Sequence, residues 1–238
     1  MNTYDLLSLI FLLVILFWVV VFYTYAWCIK VWTTEKAFLI PYWDKIKSVP
    51  YIHAGEDADY YIERESDTLY IYFQGSHGIT DWKNNFDFFA KPYKDMTSTW
   101  RVHRGFLRVW KSIEDIIAVE IADESIKKII IVGYSHGGAL AQFCHEFCRF
   151  HRDDVKVTTY AFGSPRIIFG HISHVVKSRF SGLFIITNGL DIVPHLPFLF
   201  LGFHHVGKKV AVGTDLHPTK AHLNYRAVLA GRTIDKDA

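Results

Sequence analysis

The stretch IIIVGYSHGGALAQF, residues 129 to 143, decides the fold. Ile129 to Val132 are β-branched throughout and read as a buried strand. Ala139 to Phe147 reads as a helix. Between them stands Gly133-Tyr134-Ser135-His136-Gly137, a G-x-S-x-G pentapeptide with Gly138 behind it. Glycines on both sides of one serine fit a turn too tight for side chains, which holds the serine out in a strained backbone conformation. An ordinary glycine-rich strand-to-helix connection is the plain alternative.

Outward from this stretch the chain alternates strands and helices. LYIYFQ from Leu69, VKVTTYAF, LFIIT and HHVGKKVAV read as further strands, and Gly105 to Ala122 reads as one long helix. That helix places Phe106, Trp110, Ile113 and Ile117 on one face, the spacing of a helix packed on a sheet. Alternation of this kind predicts an α/β domain with a mostly parallel sheet covered on both faces. Sites in such sheets form at the C-terminal ends of the strands.

A serine hydroxyl needs a general base, and the base needs a group to fix its tautomer. On this kind of sheet the partners follow the serine in the order acid, then histidine. Asp153 and Asp154 precede a strand and so lie at the wrong end. Asp191 follows LFIIT in NGLDIVPHLP, at the right end, where it reads either as the acid or as a turn aspartate beside Asn188-Gly189. Of 13 histidines, His195, His204, His205, His217 and His222 come after it. His195 is close to the acid and precedes an apolar stretch, His204 and His205 open a strand, and His217 precedes a proline. His222 follows a long loop and begins the last helix, from which a side chain can reach over the sheet. An oxyanion hole would take the backbone N–H of His136 and a donor from the loop YFQGSHGITDW, where Gly75-Ser76 lets the backbone turn inward; a plain glycine turn is the alternative there. Cys144, Cys148 and His151 share a helical face, but no fourth ligand is placed, so no metal is assigned.

The chain has 238 residues, enough for one globular domain and an appendage. A formal charge of +2 gives no electrostatic case for nucleic acid. Leu6 to Ile29 contains no charged residue and would extend about 36 Å as a helix, enough to cross a bilayer. Trp18, Tyr23, Tyr25 and Trp27 resemble an interfacial belt. The start has no basic n-region and no A-x-A follows, which disfavours a cleaved signal peptide. The expectation is a single-pass anchor over residues 1–30, a connector over 31–50 and a catalytic domain over 51–238. Lys30 and Lys36 after the run, against Asp5 before it, would place that domain in the cytosol. Cys28, Cys144 and Cys148 make no disulfide framework.

Taken together, YFQGSHGITDW, VHRGFLRVW, GYSHGGALA with YAFGSPR, and NGLDIVPHLP with HLNY resemble the class 3 lipases, the α/β-hydrolases related to fungal triacylglycerol lipases. The resemblance covers roughly residues 69 to 229. It implies Ser135 as nucleophile, Asp191 as its acid and His222 as its base. Ser76 and the amide of His136 would form the oxyanion hole. Two departures stand out: Gln74 where arginine is often found, and His136 where leucine is usual. The implied function is a membrane-anchored serine hydrolase of tri-, di- or monoacylglycerols, needing no cofactor. A phospholipase, a small-ester esterase and a non-catalytic membrane scaffold on the same fold are the rivals.

Two further segments carry expectations. FDFFAKPYKDMTSTW, residues 86 to 100, is too aromatic for a bare loop, so it either covers something apolar or forms a second packed helix. PHLPFLFLGF, residues 194 to 203, shows no two-sided pattern. Either part of it lines an acyl pocket or touches lipid at the mouth of the site, or the whole segment is buried under the sheet.

Overall fold

The computed structural model describes residues 36–75, 87–94 and 99–231. Among these, the strands are β1 (Ile52–Ala54), β2 (Ala58–Glu65), β3 (Thr68–Phe73), β4 (Ala90–Lys94), β5 (Thr99–His103), β6 (Lys128–Tyr134), β7 (Lys156–Phe162), β8 (Ile168–Phe169), β9 (Leu183–Asn188), β10 (Phe203–His204) and β11 (Lys208–Gly213). The helices are α1 (Ile40–Ser48), α2 (Arg104–Lys111), α3 (Glu114–Ile121), α4 (His136–His151), α5 (His174–Ser178), α6 (Pro218–Leu223) and α7 (Tyr225–Leu229).

The main sheet runs β1-β2-β3-β6-β7-β9-β11. From β3 to β11 every neighbouring pair is parallel, while β1 and β2 add an antiparallel edge. The unbroken apolar run of β6 follows from burial on both faces. Ile129 and Ile131 face one core layer, with Phe106, Trp110 and Ile117 from α2 and α3 and Phe143 from α4. Ile130 and Val132 face the other, with Trp43 and Ile46 from α1 and Tyr225 and Leu229 from α7. Segment 31–50, read above as a connector, thus supplies a helix that closes one face of the sheet.

Several elements differ from their sequence reading. The helix expected over 105–122 is two helices. Ser112 Oγ donates to the Val109 carbonyl at 2.7 Å, and Ile113 leaves helical geometry at φ −125°. A serine that bonds backward in this way competes with the helical ladder. All four residues of the expected face are still buried. The strand expected from His204 divides at Gly207, so β10 joins a second sheet, ordered β10-β8-β5-β4. In segment 86–100 the described residues contribute no helix: β4 and β5 pair as an antiparallel hairpin. That hairpin turns Tyr93 and Trp100 into the core and leaves Phe89 exposed. Phe86 and Met96 lie outside the described residues.

One expectation is corrected outright. No helix among the described residues is long and apolar enough to cross a membrane, and the run at 6–29 lies outside them. The α/β-hydrolase with a transmembrane helix, the membrane contact through that helix and the cytosolic placement argued from its flanking lysines are withdrawn. Apolar length is a requirement for spanning a bilayer; it does not by itself put a helix there.

A buried histidine makes the fold sensitive to acid. His145 on α4 has no solvent exposure. Its Nδ1 lies 2.8 Å from Thr159 Oγ1 and its Nε2 lies 3.2 Å from the Ser181 carbonyl. The carbonyl can only accept, so Nε2 carries the proton and Nδ1 accepts from the threonine, a neutral ring with both nitrogens satisfied. Burial lowers its pKa from 6.5 to about 3. The unfolded chain therefore binds the proton first. This contribution to stability is complete above pH 6.5 and is lost as the pH falls towards 3, at up to about 1.4 kcal/mol per unit. Between pH 7 and pH 5 the loss is about 2 kcal/mol. The gap between the unfolding free energies from urea titrations at the two values is expected to shrink by about that amount in His145→Gln, which cannot charge. An unchanged gap would show that other groups carry the acid response.

Candidate active site

Ser135 ends β6 and begins α4. It is one of two non-glycine residues with positive φ among the described residues, at φ 55° and ψ −120°. The strain persists because the turn is clamped. Ser135 N donates to the Phe162 carbonyl at 2.9 Å, and Gly138 N donates to the Ser135 carbonyl at 2.9 Å. The flanking glycines are sterically required. A Cβ on Gly137 would stand 2.2 Å from the Phe73 carbonyl oxygen, and one on Gly133 would stand 2.2 Å from that of Gly137. The backbone can therefore fold tightly enough to leave the Ser135 side chain at the C-terminal edge of the sheet.

Asp191 follows β9, at the same edge. Its N–H donates to the Asn188 carbonyl, and its side chain is wholly buried. Oδ1 accepts from the backbone N–H of Val193 at 3.0 Å, and Oδ2 accepts from the Tyr225 hydroxyl at 2.7 Å. His222 comes in from α6. Its Nδ1 is 2.9 Å from both carboxylate oxygens of Asp191, and its Nε2 is 3.0 Å from Ser135 Oγ. With Nδ1 donating to the carboxylate, the neutral ring leaves Nε2 free to accept the serine proton. The structure thus brings Ser135, His222 and Asp191 into one hydrogen-bonded line.

The other late histidines are engaged elsewhere. His205 Nε2 lies 2.8 Å from the Pro194 carbonyl. His217 Nδ1 accepts from Lys220 N at the start of α6. His195 and His217 are exposed, and His204 is half-buried in the second sheet.

A layer of aromatic rings supports this line, and the sequence reading assigned it no role. The Tyr134 ring stacks on the His222 imidazole with centroids 4.9 Å apart, and its hydroxyl donates to the His222 carbonyl at 2.9 Å. Lys47 Nζ lies 4.0 Å from the centroid of the same ring. Trp43 of α1 stacks on Tyr225 at 5.2 Å and meets Tyr134 edge-on at 5.0 Å. Burial raises the Tyr225 hydroxyl well above its ordinary pKa, and the Asp191 charge adds to this, so it stays a donor. The sequence does carry a signal for Tyr225: it lies three residues beyond His222, within reach of the same neighbourhood. Gly163, at the end of β7, has a steric role: a Cβ there would meet His222 at 2.9 Å and Asp191 Oδ2 at 3.0 Å.

The amide of His136 opens α4 directly after the serine, in the first turn of the helix. The loop after β3 reaches the same spot, since the Cβ position of Gly75 is 3.2 Å from Ser135 Cβ. Ser76 lies outside the described residues. The His136 imidazole is buried, edge-on to Phe106 at 5.3 Å. Cys144 and Cys148 are buried with sulfurs 3.9 Å apart. No group of three or more His, Cys, Asp or Glu side chains among the described residues is arranged to hold a metal.

The family "Lipase (class 3)" matches residues 70–201. The lipase of Rhizomucor miehei is 30% identical over 159 residues, which are 63% of this chain and 43% of that protein. The secreted mono- and diacylglycerol lipase 1 of Fusarium solani is 28% identical over 141 residues, 58% of this chain and 41% of that protein. The chain thus spans less than half the length of these relatives. The structure of the Rhizomucor miehei triacylglyceride lipase superposes with a TM-score of 0.60 at 26% identity, covering 70% of this chain and 66% of that one.

Proposed function

Since the chain belongs to the class 3 lipase family, we propose that it is a serine hydrolase of lipid esters, acting on acylglycerols. The observation that carries this reading is the line from Ser135 Oγ through the His222 imidazole to the buried Asp191 carboxylate. In this mechanism Ser135 attacks the ester carbonyl carbon while Nε2 of His222 takes the hydroxyl proton. Negative charge moves onto the carbonyl oxygen, where the His136 amide and Ser76 receive it. Each such donor is worth about 3 kcal/mol of barrier. The C–O bond to the alcohol then breaks, and Nε2 returns the proton to the leaving oxygen. Water, activated by the same imidazole, hydrolyses the acyl-serine. Asp191 keeps the ring in the right tautomer and stabilises its cation. The names of the relatives support acylglycerols as substrates over phospholipids or small esters.

The test is labelling by a fluorophosphonate probe together with hydrolysis of a panel of tri-, di- and monoacylglycerols, phospholipids and short soluble esters. Labelling lost in Ser135→Ala, with turnover highest on an acylglycerol, is the expected result. Intact chain that neither labels nor hydrolyses any ester would leave a scaffold role instead.

Tyr225→Phe tests how the acid is held. It removes the hydroxyl from Asp191 Oδ2 and keeps the ring against Trp43. A hydrogen bond to a charged group contributes about 1.5–3 kcal/mol. The labelling rate is expected to fall roughly 10- to 100-fold if most of that acts on the transition state. A rate within twofold of the parent would show that the Val193 amide and His222 suffice to hold the carboxylate.

A further inference from the structure

The segment between Asp191 and β10 ends in a short 3-10 turn, Leu199–Leu201, whose side chains face water. Phe198 is 43% exposed, Leu199 63%, Phe200 83% and Leu201 42%. A turn on an aqueous surface has no physical reason to show a continuous run of large apolar groups. The rings of Phe198 and Phe200 stack on each other at 5.4 Å and 11°, forming one flat wedge.

This exposure is built into the fold. Beneath the turn Val193, Pro194 and Pro197 are buried. Arg166 binds the segment three times: its backbone N–H donates to the Leu196 carbonyl, and Nη1 donates to the carbonyls of His195 and Pro197. On the far side Gly170 N donates to the Gly202 carbonyl at 3.0 Å, tying the turn to β8. A scaffold held at both ends keeps the wedge from folding back onto the core.

Two further observations say what the wedge meets. Leu190 and Ile192 beside Asp191, Leu216 after β11 and Leu223 next to His222 are also exposed. They flank Asp191 and His222 at the same end of the sheet as Ser135, and the tip begins seven residues after Asp191. The cations bearing on His195, His204 and His205, at the base of the turn, are the exposed Lys177 and Lys209 and the buried Arg166, with Asp191 the single acid among the groups that act on them. An apolar tip on a basic collar matches a layer of acyl chains beneath anionic head groups. A protein partner would need a complementary pocket, which nothing in this collar selects.

We propose that the turn Phe198–Leu201 is a lipid-inserting tip, which seats the chain on an anionic lipid surface with the mouth of the Ser135 site turned towards it. The orientation rests on the function proposed above; insertion of the tip does not.

The test is a nitroxide placed at Phe200→Cys in the full chain, in a Cys28→Ser background. Cys144 and Cys148 are buried and spared from labelling. A second chain carries the nitroxide at Val119→Cys, exposed on α3. Each is mixed with vesicles of phosphatidylcholine containing phosphatidylserine. At position 200 the vesicles are expected to raise accessibility to oxygen several-fold and to lower accessibility to an aqueous nickel chelate; position 119 should not change. The readout is local, so it does not depend on what other part of the chain touches lipid. Fluorophosphonate labelling of the Phe200→Cys chain reports that it is folded. In parallel, Phe198→Ser with Phe200→Ser is expected to slow hydrolysis of a vesicle-held ester by about tenfold or more, leaving a short soluble ester unaffected. A nitroxide at 200 that stays in water on vesicle-bound chain, or chain that does not bind the vesicles, overturns the proposal. Insertion at 200 in a chain that hydrolyses nothing would instead defeat the lipase reading and leave the tip standing.

Discussion

His222→Ala is expected to slow fluorophosphonate labelling of Ser135 by at least about a thousandfold, whereas His195→Ala and His217→Ala leave it within a few-fold of the parent. The difference follows from reach. Among the described residues, only the His222 ring has one nitrogen 3.0 Å from Ser135 Oγ and the other on a buried carboxylate. Without it the hydroxyl has no acceptor for its proton and remains a weak nucleophile. His195 contributes its backbone carbonyl to Arg166, and an alanine there keeps that bond. His217 Nδ1 receives a long bond of 3.4 Å from Lys220 N, so its loss weakens the start of α6 by about 1 kcal/mol at most. Normal labelling of His222→Ala, with loss in one of the others, would move the base to that residue and require the loop before α6 to rearrange.

The second large effect is on folding. Gly137→Ala is expected to cost about 3 kcal/mol or more and to abolish labelling. The added methyl would lie 2.2 Å from the Phe73 carbonyl oxygen and 2.4 Å from that of Gln74. Neither is a movable side chain tip. Both belong to the end of β3 and the start of the loop expected to hold the oxyanion, so relief requires α4 to back away from the sheet or that loop to shift. Gly170→Ala provides the contrast. Unlike Gly137, it sits at positive φ, 67°, and its Cβ would meet nothing within 4 Å. It should cost only the conformational penalty of about 1–2 kcal/mol. Denaturant titrations of the two variants separate crowding from backbone preference. Equal losses would mean that the elbow relaxes more easily than its contacts imply.

How legible the site was depended on how local its parts are. The strand, the serine between glycines and the helix after it are contiguous, and hydrophobic periodicity with glycine spacing reads them directly. Asp191 could be singled out because a parallel sheet puts all strand ends on one side. The choice among the late histidines could not be made from position alone, since it depends on where a loop of the chain folds back. Tyr134 and Trp43 had no signature, since a ring behind a histidine looks, in one dimension, like any core aromatic; Tyr225 was marked only by its place three residues after His222. The same limit explains the errors in the elements. β2 alternates but carries charges on its outer face, and the break at Ser112 rests on a single hydroxyl bonding backward. The apolar run at 6–29 was read from its length, its lack of charge and its aromatic end, and the anchor built on it is withdrawn.

The order of residues alone settled the class of this protein: an α/β sheet with a serine elbow, and an acid and a histidine to follow in that sequence. Those features are local or topological, and short-range sterics enforce them wherever the strands pair. The tertiary structure decided which histidine stands 3.0 Å from Ser135, which tyrosine holds the carboxylate, and that α1 closes the layer behind them. It also decided that Phe198 to Leu201 face outward although they are as apolar as the core. Hydrophobicity drives burial without choosing a side. Only the clamp from Arg166 and the pairing of β10 with β8, made by residues distant along the chain, determine which apolar groups are left in water.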